Sequence, residues 1–288
     1  MKSNIREAQN CNKLTQLKYW PVLFCAIMVI VSACKQPNQA SQKPTLFLIG
    51  DSTVKNGKGK GDGGLWGWGN FLPAYFDTTK IVVRNNAFGG TSSRTFRTMG
   101  LWDKVLVNIK PGDFVMMQFG HNDSSPVNDT LRARGTIKSN GDESQEIDNL
   151  ITKKHETVHS YGWYLRQFIS DIQARGATAI VLSPVPRNTW KDGKANRNDQ
   201  DYGKWAAEAA IQSGAYFIDL NKIISDRYEA EGEAKVKAEY FNTTDHTHTI
   251  EAGARVNAAS VIQGLKEQKN IALNKYLTPA ARKKGARL

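Results

Sequence analysis

Four places in this chain carry groups suited to attack on a carbonyl. Gly50-Asp51-Ser52 supplies a hydroxyl, and Asp245-His246-Thr247-His248 supplies a carboxylate with two imidazoles. An Asp three residues from a His can orient that ring as a general base for a Ser hydroxyl, which is the logic of nucleophilic acyl transfer. Asn86-Ala87-Phe88-Gly89-Gly90-Thr91-Ser92 holds two glycines whose bare backbone N–H groups are open to a ligand, and Gly120-His121-Asn122-Asp123 adds a side-chain amide donor. Donors of this kind can stabilise developing negative charge. Each signal is ambiguous singly. A Ser beside a strand commonly caps a helix, and a Gly pair commonly makes an ordinary turn. His246 and His248 both stand as candidate bases, because residues two apart in an extended segment face the same way.

The elements that must position these groups are readable. Five short apolar runs, Thr45–Ile49, Ile81–Arg84, Phe114–Gln118, Ala179–Ser183 and Tyr216–Leu220, read as strands buried on both faces. Helical patterns alternate with them. One runs through Val158, Tyr161, Leu165, Phe168, Ile169 and Ile172, one covers about Tyr202 to Ile211, and a last covers about Ile250 to Lys266. The alternation predicts an α/β fold, a three-layer α/β/α sandwich around a five-stranded parallel sheet. Ligands of such sheets bind beyond the carboxyl ends of the strands. Ser52, the Gly pair and Asn122 each follow a strand directly. The segment Ser124 to Lys154 is polar and lacks a strong period, and a loop of that length is usually functional or disordered.

The 288 residues include 39 Lys+Arg and 27 Asp+Glu, and 40% are hydrophobic. Such a chain can bury a real core, and disordered, collagen-like and coiled-coil classes are excluded. Lys2, Arg6, Lys13 and Lys18 precede an apolar run from Pro21 to Ala33, too short to span a bilayer comfortably, followed by Cys34. Residues 1–33 therefore read as a secretory signal. Small residues before Cys34 resemble a bacterial lipoprotein box, with Cys34 lipidated. The expectation is an exported protein of the bacterial cell envelope, tethered to a membrane by its N-terminus through a polar linker, residues 34–44. The folded domain is expected over 45–270, and 271–288 as a basic, solvated tail.

All three cysteines, Cys11, Cys25 and Cys34, lie in or at the edge of the signal. A chain starting at Cys34 has no disulfide, and a Cys nucleophile or Cys-ligated zinc is excluded. Removing residues 1–33 takes away four bases and one acid and lowers the formal charge from +12 to +9. That excess suits an acidic partner such as a uronic-acid polymer. Nucleic acid is a poor partner, since no binding motif is present.

Ser52, Gly90, Asn122 and Asp245 with His248 together resemble the signature blocks of the SGNH/GDSL hydrolase superfamily, from about Thr45 to Leu265. Leu48-Ile49-Gly50-Asp51-Ser52-Thr53, Ser183-Pro184-Val185-Pro186-Arg187-Asn188 and Asp245-His246-Thr247-His248-Thr249 look like the rhamnogalacturonan acetylesterase group, carbohydrate esterase family 12. The resemblance implies a flavodoxin-like sandwich and a serine esterase acting on acetylated plant cell-wall polysaccharide. It implies Ser52 as nucleophile, His248 as base by the Asp-x-x-His spacing, and Asp245 as its orienting acid. The oxyanion hole would be Ser52, Gly90 (with Gly89 as fallback) and Asn122, with no metal or cofactor. Alternatives are an acetylxylan or oligosaccharide acetylesterase of the same fold, or a non-catalytic glycan-binding lipoprotein.

Two motifs compete. His155-Glu156-Thr157-Val158-His159 matches H-E-x-x-H, but Leu165 stands where a third His ligand belongs. Gly59 to Gly64 matches G-x-G-x-x-G without directly following a strand. Trp66, Trp68, Arg94, Arg97, Arg187 and Trp190 lie near strand ends. They are candidate sugar contacts, through ring stacking or pairing with carboxylates.

Overall fold

The computed structural model describes residues 42–283. The expected signal, Cys34 and the linker as far as Ser41 lie outside the described residues. In chain order the strands are β1 (Thr45–Gly50), β2 (Leu65–Trp66), β3 (Val82–Asn85), β4 (Phe114–Gln118), β5 (Ser144–Asp148), β6 (His155–His159), β7 (Thr178–Leu182), β8 (Trp190–Lys191), β9 (Lys194–Ala195), β10 (Tyr216–Ile218) and β11 (Thr249–Ile250). The helices are α1 (Ser93–Thr98), α2 (Leu101–Leu106), α3 (Tyr161–Ala174), α4 (Tyr202–Gln212), α5 (Leu220–Glu231), α6 (Glu233–Tyr240), α7 (Glu251–Glu267) and α8 (Pro279–Arg282).

Five strands form one parallel sheet in the order β10-β7-β4-β1-β3. The pleat sends successive side chains to opposite faces. Leu46 and Leu48 of β1 therefore join Met116, Ile180, Leu182 and Ile218 in a core beneath α5, α6 and α7. Phe47 and Ile49 join Val115, Met117, Ala179 and Val181 on the other face, against α3 and α4. Helix α3 shows the expected stripe, with Tyr161, Leu165, Phe168, Ile169 and Ile172 buried. Ser160 caps it by accepting the Trp163 N–H. A fully parallel sheet covered by helices on both faces is the three-layer sandwich the sequence predicts.

The last strand ends earlier than expected, at Ile218, because Asp219 caps α5 by accepting the Lys222 N–H at 3.1 Å. The segment after Ser124 contains a hairpin, β5 paired with β6 in the register Ser144↔His159 to Asp148↔His155. The H-E-x-x-H motif is thus strand, not helix. His155 sits against Glu146 and Asp148, while the His159 ring stacks on Trp163 at 3.8 Å. The expected basic tail is also corrected. Leu273, Leu277 and Ala281 are buried in the core, and Thr278 donates its backbone N–H to the Tyr75 carbonyl at 2.9 Å. Its apolar positions recur every four residues and outweigh its charge.

Candidate active site

Strand β1 delivers Ser52 through a tight turn. A Cβ on Gly50 would lie 2.4 Å from the Gln118 carbonyl oxygen, so only glycine lets β1 leave the sheet so close to β4. The turn is closed by the Val54 and Lys55 N–H groups on the Asp51 carbonyl, and no α-helix follows it. A helix dipole therefore does not act on Ser52. Asp51 is fully buried, and its Oδ1 accepts the backbone N–H and hydroxyl of Thr53 at 2.8 and 2.7 Å. Its Oδ2 faces His121 Nδ1 at 3.4 Å. Burial pushes the Asp51 carboxyl up, but His121 and the Thr53 bonds outweigh it and hold the group below its usual value.

The imidazole arrives on the loop between α6 and α7. Strand β11 pairs antiparallel with β2, Thr249 opposite Trp66, which ties this loop to the segment that follows the Ser52 turn. His248 Nε2 lies 2.8 Å from Ser52 Oγ, and His248 Nδ1 lies 2.7 Å from Asp245 Oδ2. Asp245 Oδ1 accepts the backbone N–H groups of Thr247 and His248 at 2.7 and 2.9 Å. Burial raises the Asp245 carboxyl, and the His248 and Thr247 contacts bring it below its usual range. His246 is exposed and turned away, its carbonyl accepting the Asn188 N–H at 2.7 Å.

Ser52 and His248 open on a pocket of about 640 Å³ that Gly89, Gly90 and Asn122 also line. Among the described residues no protein acceptor takes the N–H of Ser52, Gly89 or Gly90. Asn122 is buried and spends one amide N–H on the Thr91 carbonyl at 2.8 Å, leaving a second. Gly90 is left-handed, with φ 83°, and its carbonyl accepts from Arg134 Nη1 at 2.8 Å. A hydroxyl, an imidazole backed by a carboxylate and uncommitted N–H groups around one space can carry out nucleophilic acyl transfer. Among the described residues no cluster of three or more His, Cys, Asp or Glu side chains is placed to hold a metal.

Of the sugar-contact candidates, Arg187 lines this pocket. Trp68 does not reach solvent: it is fully buried and donates its indole N–H to Gln118 Oε1 at 2.9 Å. Arg94 is likewise buried. Its Nη1 donates to the carbonyls of Val127 and Gly135 at 2.7 and 2.9 Å, and its Nη2 pairs with Glu156, so it pegs a loop rather than touching substrate. Arg97 pairs with Asp171 at 2.9 Å and lies over the Phe168 ring. The Trp66 ring packs on Phe71 and beneath Gly61, and Trp190 bonds Asn188 and leans on the core.

Sequence reasoning missed the Asp51–His121 pair behind the nucleophile, and it missed Arg132 and Arg134 on the pocket wall. The pair was visible only as neighbours of Ser52 and Asn122. The arginines sit in the polar segment after Ser124, where no periodicity marked them.

Residues 48–256 match the GDSL-like lipase/acylhydrolase family. The chain is 27% identical over 234 residues to the rhamnogalacturonan acetylesterase of Emericella nidulans, a span covering 81% of this chain and 89% of that protein. It is 27% identical over 235 residues to rhamnogalacturonan acetylesterase RhgT of Bacillus subtilis, covering 77% and 89%. Among solved structures, Bacillus subtilis YxiM superposes with a TM-score of 0.62 at 28% identity, over 79% of this chain and 57% of that one.

Proposed function

Because this chain belongs to the GDSL-like lipase/acylhydrolase family and is a carboxylic ester hydrolase, we propose that it removes acetyl groups from an acetylated plant cell-wall polysaccharide, rhamnogalacturonan above all, with Ser52, His248 and Asp245 as its triad. The unbroken relay from Asp245 through His248 to Ser52 Oγ, at 2.7 and 2.8 Å, carries this reading.

Ser52 Oγ attacks the acetyl carbonyl carbon while His248 Nε2 takes its proton. Asp245 holds the Nδ1–H tautomer and stabilises the imidazolium. The N–H groups of Ser52 and Gly90, with the second Asn122 amide proton, receive the oxyanion. One such donor is worth about 2.7–4 kcal/mol of barrier. Collapse expels the sugar hydroxyl, protonated by His248, and leaves an acetyl-serine. Water, deprotonated by His248, then attacks the ester and frees acetate and Ser52. The substrate assignment draws on the rhamnogalacturonan acetylesterases among the relatives and on the basic wall of the pocket. Export and lipid anchoring at Cys34 belong to the same proposal and rest on the sequence.

The test is acetate release from acetylated rhamnogalacturonan and xylan, with a small chromogenic acetyl ester alongside, by wild type and Ser52→Ala. Turnover by wild type on all three, fastest on rhamnogalacturonan and lost in Ser52→Ala, is expected. Full turnover by Ser52→Ala overturns the triad, and a preference for xylan overturns the substrate.

A further inference from the structure

Behind Ser52 lies a second carboxylate–imidazole contact that the triad does not use. Asp51 is fully buried, the His121 side chain is only 6% exposed, and His121 Nδ1 lies 3.4 Å from Asp51 Oδ2. Among the described residues neither atom finds a hydrogen-bond partner elsewhere. Asp51 immediately precedes the nucleophile, and His121 immediately precedes the amide donor Asn122. The contact therefore joins the two turns that must hold the hydroxyl and an oxyanion donor in register.

Both partners are fixed from their far sides. Asp51 Oδ1 is taken by the Thr53 N–H and hydroxyl at 2.8 and 2.7 Å. His121 Nε2 lies 3.0 Å from the Val185 carbonyl oxygen, on the loop after β7. The His121 carbonyl accepts from Ser124 Oγ at 3.1 Å and from Arg187 Nη2 at 3.3 Å. A Cβ on Gly120 would lie 2.6 Å from Pro184 Cγ, so the turn that carries His121 runs hard against that same loop. One imidazole thus bridges the ends of β1, β4 and β7.

The protons of this bridge follow from its partners. A carbonyl oxygen only accepts, so Nε2 carries a proton. Nδ1 faces a carboxyl oxygen, and two lone pairs set against each other in a buried space would repel and leave both groups unsatisfied. A proton therefore stands between them. It belongs to an imidazolium beside a carboxylate or to a carboxyl beside a neutral ring, and either form joins the turns. Asp123, Tyr161 and Arg134 lie within electrostatic reach of Asp51, and Arg187, Asp201 and Tyr202 line the space beside His121. Among the described residues none of these six bonds to the His121 ring or to Asp51 Oδ2, so the shared proton belongs to the pair alone.

Resting on the esterase reading above, we propose that Asp51 and His121 are positioning residues whose shared proton clamps the nucleophile turn to the amide-donor turn. Displacing a catalytic group by about 1 Å costs about a hundredfold in rate. Loss of the proton at alkaline pH sets the Nδ1 lone pair against the carboxylate and parts the two turns. It also leaves an unshielded negative charge one residue from Ser52, beside the place where the oxyanion must form. Activity therefore falls at both ends of the pH scale, at the acid end because His248 must be neutral to act as base, and at the alkaline end because the pair opens.

The test measures kcat and KM for a small chromogenic acetyl ester from about pH 5 to about pH 10, with thermal unfolding of each variant. In Asp51→Asn the carbonyl oxygen stays on the Thr53 N–H and the NH₂ takes the place of Oδ2, so an amide proton that does not titrate bridges to Nδ1. At neutral pH Asp51→Ala and His121→Ala should each lower kcat about a hundredfold, the former with KM within about threefold of wild type. Asp51→Asn should recover at least about tenfold of the loss in Asp51→Ala, and the alkaline fall of wild type should be absent from it. Should the alanine variants fail to fold, the pH profiles of wild type and Asp51→Asn decide. An alkaline fall of equal depth in those two, no alkaline fall in wild type, or folded alanine variants within about threefold of wild-type kcat overturns the clamp. Any of these results in a chain that hydrolyses the ester leaves the esterase reading standing, whereas absence of ester hydrolysis by wild type overturns both.

Discussion

Asp245→Asn changes one atom and should nearly silence the enzyme, for a reason set by the hydrogen bonds of that carboxylate. Oδ1 accepts two backbone N–H groups, from Thr247 and His248, while Oδ2 faces His248 Nδ1. An asparagine must keep its carbonyl oxygen where the two N–H donors converge, since an NH₂ there would meet donors on both sides. Its NH₂ therefore points at Nδ1. The imidazole answers by accepting at Nδ1 and carrying its proton on Nε2, which then faces Ser52 Oγ as a donor and cannot take the hydroxyl proton. The fold stays intact and the base is lost. The same tautomer reversal in a serine protease lowers kcat by about 10⁴, and that factor corresponds to about 5.4 kcal/mol of barrier. Steady-state hydrolysis of a chromogenic acetyl ester measures it, with thermal unfolding to check the fold. A kcat within about tenfold of wild type, in a protein of unchanged stability, would refute the argument.

Other expectations are independent of that one. His248→Ala should lower kcat by about 10³-fold or more, whereas exposed His246→Ala should stay within about threefold, and the reverse order would exchange their roles. Glu156→Gln leaves the buried Arg94 cation without its ion pair and should destabilise the protein by about 3 kcal/mol in urea titration; an unchanged midpoint would show that the carbonyls of Val127 and Gly135 suffice. Burial pushes the Asp123 carboxyl up to about 7. Between about pH 4 and 7 the native state thus holds a proton that the unfolded chain has released, so stability falls as pH rises through that window and levels off above it. Asp123→Asn should flatten this slope in urea midpoints taken from pH 4.5 to 7.5, and parallel slopes in the two proteins would remove Asp123 as its source.

The sheet was legible because both of its faces are covered, which forces apolar runs such as Leu46–Ile49 and Val115–Met117 that no loop would tolerate. Helix α6 left no such trace, since it buries only Val236 and Tyr240. The two-residue strands β2 and β11 are too short for any period, yet their pairing ties the His248 loop to the segment beside Ser52. Trp68 and Arg94 defeated sequence reasoning for one shared reason. Whether a large polar-tipped side chain faces substrate or is buried depends on its partner, and here the partners stand far away in the chain, Gln118 for Trp68 and Glu156 for Arg94.

That dependence on distant partners also explains why the site's residue types could be read while its geometry could not. Acyl transfer needs its groups held within about 0.5 Å of a productive arrangement, and loops alone do not supply that. Each loop at this site is fastened to another element by a buried contact. The Ser52 turn is pressed against β4 at Gly50. The loop before α1 is tied to the Asn122 turn where Asp123 Oδ1 accepts the Ser93 N–H at 3.0 Å. The arginine loop hangs on Arg94, which sits in α1 itself. Helix α1 therefore links the glycines, the amide donor and the loop of Arg132 and Arg134 in one mechanical unit. A lesion at Arg94 or Asp123 should therefore disturb oxyanion stabilisation, although neither side chain lines the pocket.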